Sequence, residues 1–341
     1  MKVLAVCQPY ATFVKQDLQI LRELGYDVVN VPPVRNFWLY RRLARQADVI
    51  FSWWAHKDST PATLLARGFN KPLVMVLGGR EVVIDPTIPG TFANREWHWR
   101  QHVKFNLRNA TILLSPSEWL RKQASEIVRH PRNLLVYNGV DTSVFKPLPS
   151  QKKYAVVACG LQTPGAILIK GMPELIESFV YVLREFPHAR LVLVGDDLGG
   201  RAYLISMTRR LGLDKNVDFV NYSDFETTAD YARFLNMCQV YVQFSRCEAF
   251  GVAMVEAMAC GLPVIASSRT ALPEIVGCDE MIVLQYAPKE LANKIISILS
   301  DNECARRLGE YCASRARERF SKEIRKEKLG PVFEEVTDSR L

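Results

Sequence analysis

The sequence predicts an α/β protein of two doubly wound domains. Three observations predict it. Apolar runs of strand length alternate with helical periods from residue 3 onward; the alternation breaks at a turn-and-proline connector near residue 145 and restarts; and 341 residues suffice for two domains that each bury a core. Hydrophobic residues make up 48% of the chain, which excludes wholesale disorder. No apolar run approaches the roughly 18–20 residues of a membrane-spanning helix. The opening Met1-Lys2-Val3-Leu4-Ala5-Val6 is too short an apolar stretch for a signal peptide. A cytoplasmic protein is expected, free or peripheral on the inner membrane face.

Residues 3–7 read as a buried strand, Thr12 to Leu24 as an amphipathic helix stopped by Gly25, and Asp27 to Val31 as a second strand. This spacing predicts a parallel sheet with ligands at the carboxyl ends of its strands. The 8–10 loop therefore faces a site. Residues 35–45 set Phe37, Trp38, Leu39 and Tyr40 among Arg35, Arg41, Arg42 and Arg45. Two placements are open: a helix packed on the sheet with solvated arginines, or a face turned to an anionic membrane. Asp48 to Trp53 is a strand, Thr60 to Arg67 a helix, and Pro72 to Leu77 a strand ending in Gly78-Gly79-Arg80, where two glycines allow close approach of a ligand. After a loop from Asp85 to Asn94 come a helix from Arg95 to Leu107, a strand from Ala110 to Leu114, a helix opened by Ser117, and a strand from Leu134 to Tyr137. Asn138-Gly139 makes a turn and Pro147 stiffens the chain beyond it, so the first domain is placed at 1–145 and the second at 146–320.

Tyr154 to Cys159 opens the second domain as a strand. Gly160 to Ile169 reads as a loop, and Lys170-Gly171 precedes a helix from Pro173 to Glu185. Leu191 to Val194 is a strand ending at Gly195-Asp196-Asp197, an acidic pair that invites a magnesium reading. Arg201 to Leu211 is a helix, Val217 to Val220 a strand ending at Asn221-Tyr222-Ser223, and Thr228 to Met237 a helix. Pro288 to Leu299, Glu303 to Phe320 and Lys322 to Glu335 are helices. The eight cysteines include no Cys-x-x-Cys pair and are expected as free thiols, with Cys247 near the site. Residues 1–140 hold 19 Lys+Arg against 10 Asp+Glu, or +9; the remaining 25 and 26 give −1. A basic half suggests an anionic partner, but no nucleic-acid-binding module accompanies it.

The densest chemistry lies in Ser245 to Pro263. The apolar run Val240 to Phe244 reads as a strand, Gly251 as a helix start, and Gly261-Leu262-Pro263 as the stop before a strand from Val264 to Ala266. Glu248 precedes the helix, where a carboxylate commonly complements the dipole. Glu256 lies more than a turn inside it among Met and Ala, where a carboxylate has a use if it faces a cleft and accepts hydrogen bonds from hydroxyls. The free N–H groups at Phe250, Gly251 and Val252 suit a phosphate. Hydroxyls, negative charge, hydroxyls is the polarity of a sugar–diphosphate–ribose string.

The string Glu248-Ala-Phe-Gly-x4-Glu256-Ala-Met-Ala-x-Gly261-x-Pro263 resembles the nucleotide-binding segment of the GT-B-fold retaining glycosyltransferases, the glycosyl transferases group 1 family, which includes the phosphatidylinositol mannosyltransferases. The connector at 138–147, Lys170-Gly171 and Pro273-Glu274-Ile275 are similar to other family segments. The resemblance implies two Rossmann-like domains facing across a cleft, with residues 321–341 returning to the first domain. It implies that Glu248 contacts the transferred sugar, Glu256 the ribose hydroxyls, Lys170 the diphosphate beside Gly160, and the Tyr222 loop the base. The implied reaction is transfer of a hexose from a UDP- or GDP-sugar to a glycan or lipid-linked acceptor, with retention and no bound metal; the acidic pair at 196–197 then reads as a turn. The chain departs from the family pattern in four places. Leu161 follows Gly160 where an arginine is usual, and Arg246, Arg269, Arg80 and Arg201 are the candidates to replace it. Gly78, Gly79 and Arg80 stand where many relatives carry a histidine, leaving His56, His98 and His102 as candidates. Thr270 or Ala271 takes a usual glycine place, and the 8–10 loop lacks a Gly-Gly pair. These departures leave two other readings open, a nucleotide- or glycan-binding module without turnover and a sugar epimerase or hydrolase of related fold.

Overall fold

A computed structural model describes residues 1–8, 11–32, 37–284 and 286–338. Pro9, Tyr10 and Arg35, singled out above, lie outside the described residues. The chain forms two compact units, one of residues 1–139 with 322–341 and one of residues 140–321. The first ends at Gly139 rather than at 145, because the Val140 N–H already bonds to the Phe320 carbonyl (2.8 Å) of the second.

The first unit runs β1 (Lys2–Val6), α1 (Thr12–Glu23), β2 (Asp27–Val31), α2 (Phe37–Gln46), β3 (Val49–Trp53), α3 (Thr60–Gly68), β4 (Leu73–Val76), α4 (Trp97–Asn109), β5 (Ile112–Ser115), α5 (Glu118–Ile127) and β6 (Asn133–Leu135). Its sheet is parallel, with order β2-β1-β3-β4-β5-β6. From β2 onward every crossover steps the same way, and right-handed crossovers put α2, α3, α4 and α5 on one face. The step from β1 to β2 runs the other way and puts α1 on the opposite face.

The second unit runs β7 (Tyr154–Cys159), α6 (Pro164–Ile169), α7 (Met172–Glu185), β8 (Leu191–Val194), α8 (Arg201–Arg210), β9 (Val217–Val220), α9 (Thr228–Asn236), β10 (Cys238–Gln243), α10 (Val252–Ala259), β11 (Val264–Ser267), α11 (Leu272–Val276), β12 (Ile282–Val283), α12 (Pro288–Ser300) and α13 (Asn302–Phe320). Its order is β12-β11-β10-β7-β8-β9, again parallel. Fully buried runs such as Leu191–Val194 and Val240–Val242 are the continuous apolar strands that a sheet covered on both faces requires. Residues 164–169, expected as loop, are helical. Thr163 caps α6 by accepting from the Ala166 N–H (3.1 Å), and Pro164 fits its first turn.

The last helix, α14 (Lys322–Asp338), belongs to the first unit and packs beside α1. Leu329, Val332, Phe333 and Val336 join the core formed by α1 and the sheet. Arg325 is 2% exposed and bonds through Nε and Nη2 to both oxygens of Asp17 (2.5 and 2.7 Å), and through Nη1 to the carbonyls of Val136 and Tyr137. The Trp53 indole also donates to Asp17 (3.1 Å). A buried ion pair needs this degree of hydrogen-bond satisfaction to offset desolvation. All eight cysteines are free, and Cys247 is buried.

Candidate donor site

In the second unit, β7, β8 and β9 step outward on one side, and β10 then begins again on the other side of β7. At such a switch point the loops leaving the two central strands part and open a crevice beyond their carboxyl ends. The loops that part here are Gly160–Thr163, after β7, and Phe244–Gly251, after β10. They carry Gly160, Arg246, Glu248, Phe250 and Gly251.

Glu248 is held by a relay that begins inside the sheet. The Tyr241 hydroxyl donates to Gln243 Oε1 (2.8 Å). Gln243 Nε2 donates to Ser245 Oγ (2.6 Å) and to Glu248 Oε1 (2.9 Å), and Ser245 Oγ donates to the same oxygen (3.3 Å). Lys170 Nζ also pairs with Glu248 Oε1. That oxygen is fully engaged, and no bond to Oε2 is made among the described residues. The loop after β11 grips the backbone. Ser267 Oγ donates to the Ser245 carbonyl (2.6 Å), the Glu248 N–H donates to Thr270 Oγ1 (3.0 Å), and the Ala271 N–H donates to the Glu248 carbonyl (3.3 Å).

Thr270 makes its bond from a φ of +58°, a left-handed conformation that is a real outlier for a β-branched residue and costs about 1–3 kcal/mol. Of the two residues at the expected glycine place, Thr270 is the one in a backbone conformation that favours glycine. The hydroxyl that replaces glycine's freedom is spent on Glu248. Thr270→Gly is therefore expected to leave stability unchanged or raise it while freeing the Glu248 amide. Thr270→Ser keeps the bond. Amide hydrogen exchange at Glu248, fast in the glycine variant and slow in the serine variant, checks this; equal protection in both would remove the clamp from the account.

Helix α10 starts at Gly251, whose φ of +89° selects glycine. The N–H groups of its first turn have no acceptor within the helix, and the Glu248 loop leads directly into it. Phe250 sends its ring into the core against Phe320 (5.4 Å between ring centres), away from a ligand. Val252 is half-buried. Gly160 backs onto Lys170: a Cβ there would lie 3.2 Å from Lys170 Cγ. Gly171, at φ +66°, has no room for one at all, since it would meet the Phe244 carbonyl at 2.1 Å.

Glu256 is more enclosed than expected for a group facing a cleft. It is 6% exposed, one turn into α10, and makes no hydrogen bond among the described residues. Burial pushes its carboxyl up to about 8. Its charge is felt by Cys159 at the end of β7 and by Tyr222, Tyr231 and Tyr241; burial first, then Glu256, pushes the Tyr222 hydroxyl up to about 12. Tyr222, after β9, and Cys159, at the end of β7, thus border the same acid.

Two of the four candidate arginines reach this rim. The Arg246 N–H donates to the Ile169 carbonyl (2.7 Å), beside Lys170, while its guanidinium bonds Glu174 (2.6 Å). Arg246 and Arg269 both lie 5.1 Å from the Tyr286 ring, which stacks on Phe244. Arg201 instead donates to Gln162 Oε1 (2.7 Å) and the Gly195 carbonyl (2.5 Å), a structural role. Leu161, in the arginine's place, is exposed. Asp196 accepts from the Ser223 N–H and hydroxyl (2.9 and 2.8 Å), and Asp197 from the N–H groups of Gly199 and Arg201 (3.0 and 3.2 Å), so both are turn caps.

The remaining candidates lie in the first unit. Arg80 is exposed and Gly79 has a φ of +145°. The Gly78 N–H donates to the buried Glu81 carboxylate (2.7 Å). His56 Nδ1 accepts from the Asp58 N–H (3.2 Å), His98 pairs with Glu96 (3.3 Å), and His102 meets the Thr60 hydroxyl (3.1 Å). None of the three makes a hydrogen bond to Gly79 or Arg80 among the described residues. The sequence reading missed Gln243, Ser245 and Tyr286. A lone Gln inside an apolar strand was a usable signal for the first; Tyr286 had none.

Two parallel six-stranded sheets flanked by helices, each with its own switch of strand order, are the architecture of the GT-B fold. Residues 165–315 match the model of the glycosyl transferases group 1. The chain is 27% identical over 335 residues to N-acetyl-alpha-D-glucosaminyl L-malate synthase of Bacillus anthracis, covering 91% of this chain and 81% of that one. It is 26% identical over 298 residues to an uncharacterized glycosyltransferase of Methanocaldococcus jannaschii, covering 85% and 76%. Among solved structures, sucrose-phosphate synthase of Thermosynechococcus elongatus superposes with a TM-score of 0.81 at 20% identity over 99% of both chains. Anabaena HepE in complex with UDP and glucose gives 0.80 at 19% over 98% of this chain and 99% of that one. At those identities the structures speak for the fold alone.

Proposed function

We propose that this glycosyltransferase moves a hexose from a UDP- or GDP-sugar to a glycan or lipid-linked acceptor with retention at the anomeric carbon, without a bound metal, and that its basic half works at an anionic membrane surface. The observation that supports this most is the order of groups along one loop and helix: the Lys170–Glu248 pair, the open helix N-terminus, then an unpartnered buried carboxyl at Glu256. A donor fits that order end to end. Glu248 Oε2 accepts from sugar hydroxyls. Lys170, turning from Glu248 toward the diphosphate, and the α10 N–H groups stabilise the departing charge, the step where such donors contribute most. Glu256 accepts from ribose hydroxyls, and the Tyr222 loop borders the base.

Lys170→Ala is expected to lower kcat by about 10²–10³-fold while nucleotide binding persists. Product analysis with labelled UDP- and GDP-sugars, with anomeric configuration read by NMR and repeated in EDTA, tests the reading. An inverted product or loss of activity in EDTA would overturn retention or metal independence respectively. The exposed Leu161 in place of a cation favours a second reading, a module that binds the nucleotide without turnover; bound nucleotide with no glycosylated product is its signature.

A further inference from the structure

The first unit carries an excess of positive charge that its own carboxylates do not neutralise. On the face built by α1 and α14, Glu23 pairs with Lys322 and Lys326 (2.6 and 3.1 Å) and Arg132 with Glu335. The opposite layer differs. Neighbouring helices α2, α3 and α4 carry Arg41, Arg42, Arg45, Arg67, Arg100 and Arg108, and none pairs with a carboxylate among the described residues. Large apolar side chains stand out between them: Trp38 is 72% exposed, Leu64 53% and Trp97 70%.

The arrangement follows the helical repeat. Trp38, Arg41, Arg42 and Arg45 form one stripe on α2 (i, i+3, i+4, i+7) and line an open groove of about 330 Å³ with Gln46. The Arg41 guanidinium lies 5.8 Å from the Trp38 ring centre. Leu64 and Arg67 repeat the pattern on α3, and Arg67 reaches over Phe105 of α4 (5.9 Å). Tyr40, on the inner side of α2, is buried and donates to the Pro32 carbonyl (2.5 Å). The helix is therefore packed on one side and basic-aromatic on the other. Trp38 and Trp97 sit in the first turns of their helices, at the carboxyl edge of the sheet, the edge at which ligands of such sheets bind.

We propose that the α2–α3–α4 face is the surface by which the protein docks on an anionic bilayer, arginines at the headgroups and Trp38 and Trp97 at the interface. Aromatic rings favour that depth, and bases gain attraction there without full desolvation. The proposal deepens the membrane partner named above and rests on that reading only for what the lipid is for.

Vesicle flotation of the full chain, with no donor present, tests it separately from the chemistry. The protein is expected to float with phosphatidylglycerol-containing vesicles, not with phosphatidylcholine alone, and to be released by salt. At about fivefold per base, Arg41→Glu/Arg42→Glu/Arg45→Glu should weaken partition more than about 100-fold. Trp38→Ala should weaken it several-fold, and Arg209→Glu/Arg210→Glu, on exposed positions of the second unit, should not. Circular dichroism confirms that the variants fold. No flotation at low salt, partition untouched by the triple reversal, or binding to soluble heparin without vesicles would overturn the proposal. A chain that floats but yields no product from any labelled donor would sink the transfer reading and leave the docking face standing.

Discussion

Glu256→Gln is expected to stabilise the nucleotide-free second unit at pH 8 and to abolish tight nucleotide binding, two effects of opposite sign from one substitution. The carboxyl titrates near 8 in the folded chain because burial disfavours its charge, against an ordinary value of 4.5 unfolded. Its folded pKa is raised, so stability is fully present below pH 4.5 and is lost as pH rises through 8. At about 1.4 kcal/mol per pH unit across that window, the wild type should lose about 2 kcal/mol more than the Gln variant between pH 6 and 8. The amide has no partner either and costs about 1–3 kcal/mol in its own right, so the difference in slope is the safer readout. Urea melts at the two pH values supply it, following the transition of the second unit alone because two units can melt in steps. Parallel slopes would show that Glu256 is not the titrating group.

Ligand binding runs the other way. On the proposed reading, ribose hydroxyls donate to Glu256 and favour its ionised form, so its pKa should fall in the complex and a proton should leave. UDP or GDP affinity should then climb with pH up to about 8 and level off. Calorimetry in buffers of different ionisation enthalpy counts the proton. Binding without release would move the ribose away from Glu256. On that reading the acid is costly in the empty protein and useful only when occupied, a trade-off common at functional sites.

Arg325→Ala is expected to destabilise the first unit by about 3–5 kcal/mol, since it strands Asp17 as a buried, uncompensated charge. Asp17→Asn/Arg325→Met should recover most of the loss, which a double-mutant cycle measures; a double variant no better than the single would place the loss elsewhere. Truncation after Ser321 goes further. It removes Leu329, Val332, Phe333 and Val336 from the core, at about 1.5–3 kcal/mol each, together comparable with the whole stability of a domain. The remaining first unit should bind a hydrophobic dye and be cut rapidly by protease, while residues 140–321 retain their own melting transition.

Strands such as Tyr154–Cys159, Leu191–Val194 and Val217–Val220 were legible to the residue, because an apolar run bounded by polar turns admits few endpoints. So was the alternation of strands and helices, though not α6, α11 or β12. What was hidden depends on contacts distant in sequence. The Thr270 hydroxyl finds the Glu248 N–H across 22 residues, and Tyr286 meets Phe244 across 42. Periodicity carries no trace of either. The depth of Glu256 was hidden for another reason: the same Met and Ala neighbours suit a helix that lines a crevice or one that closes over it. At 164–169 the signal was present but misread, since Thr163-Pro164 marks a helix start as readily as a loop.

The Asp17–Arg325 pair joins residues 308 positions apart. On a ribosome adding about 5–20 residues per second, roughly 15–60 s separate the appearance of the two partners. Through that interval the stretch made first has an acid with no counterion and a sheet with one face covered by α1 alone. Residues 140–321 are contiguous and wait for nothing. The later-made half is thus able to mature first, and the earlier-made half is the one that a chaperone would have to shelter until the final helix emerges.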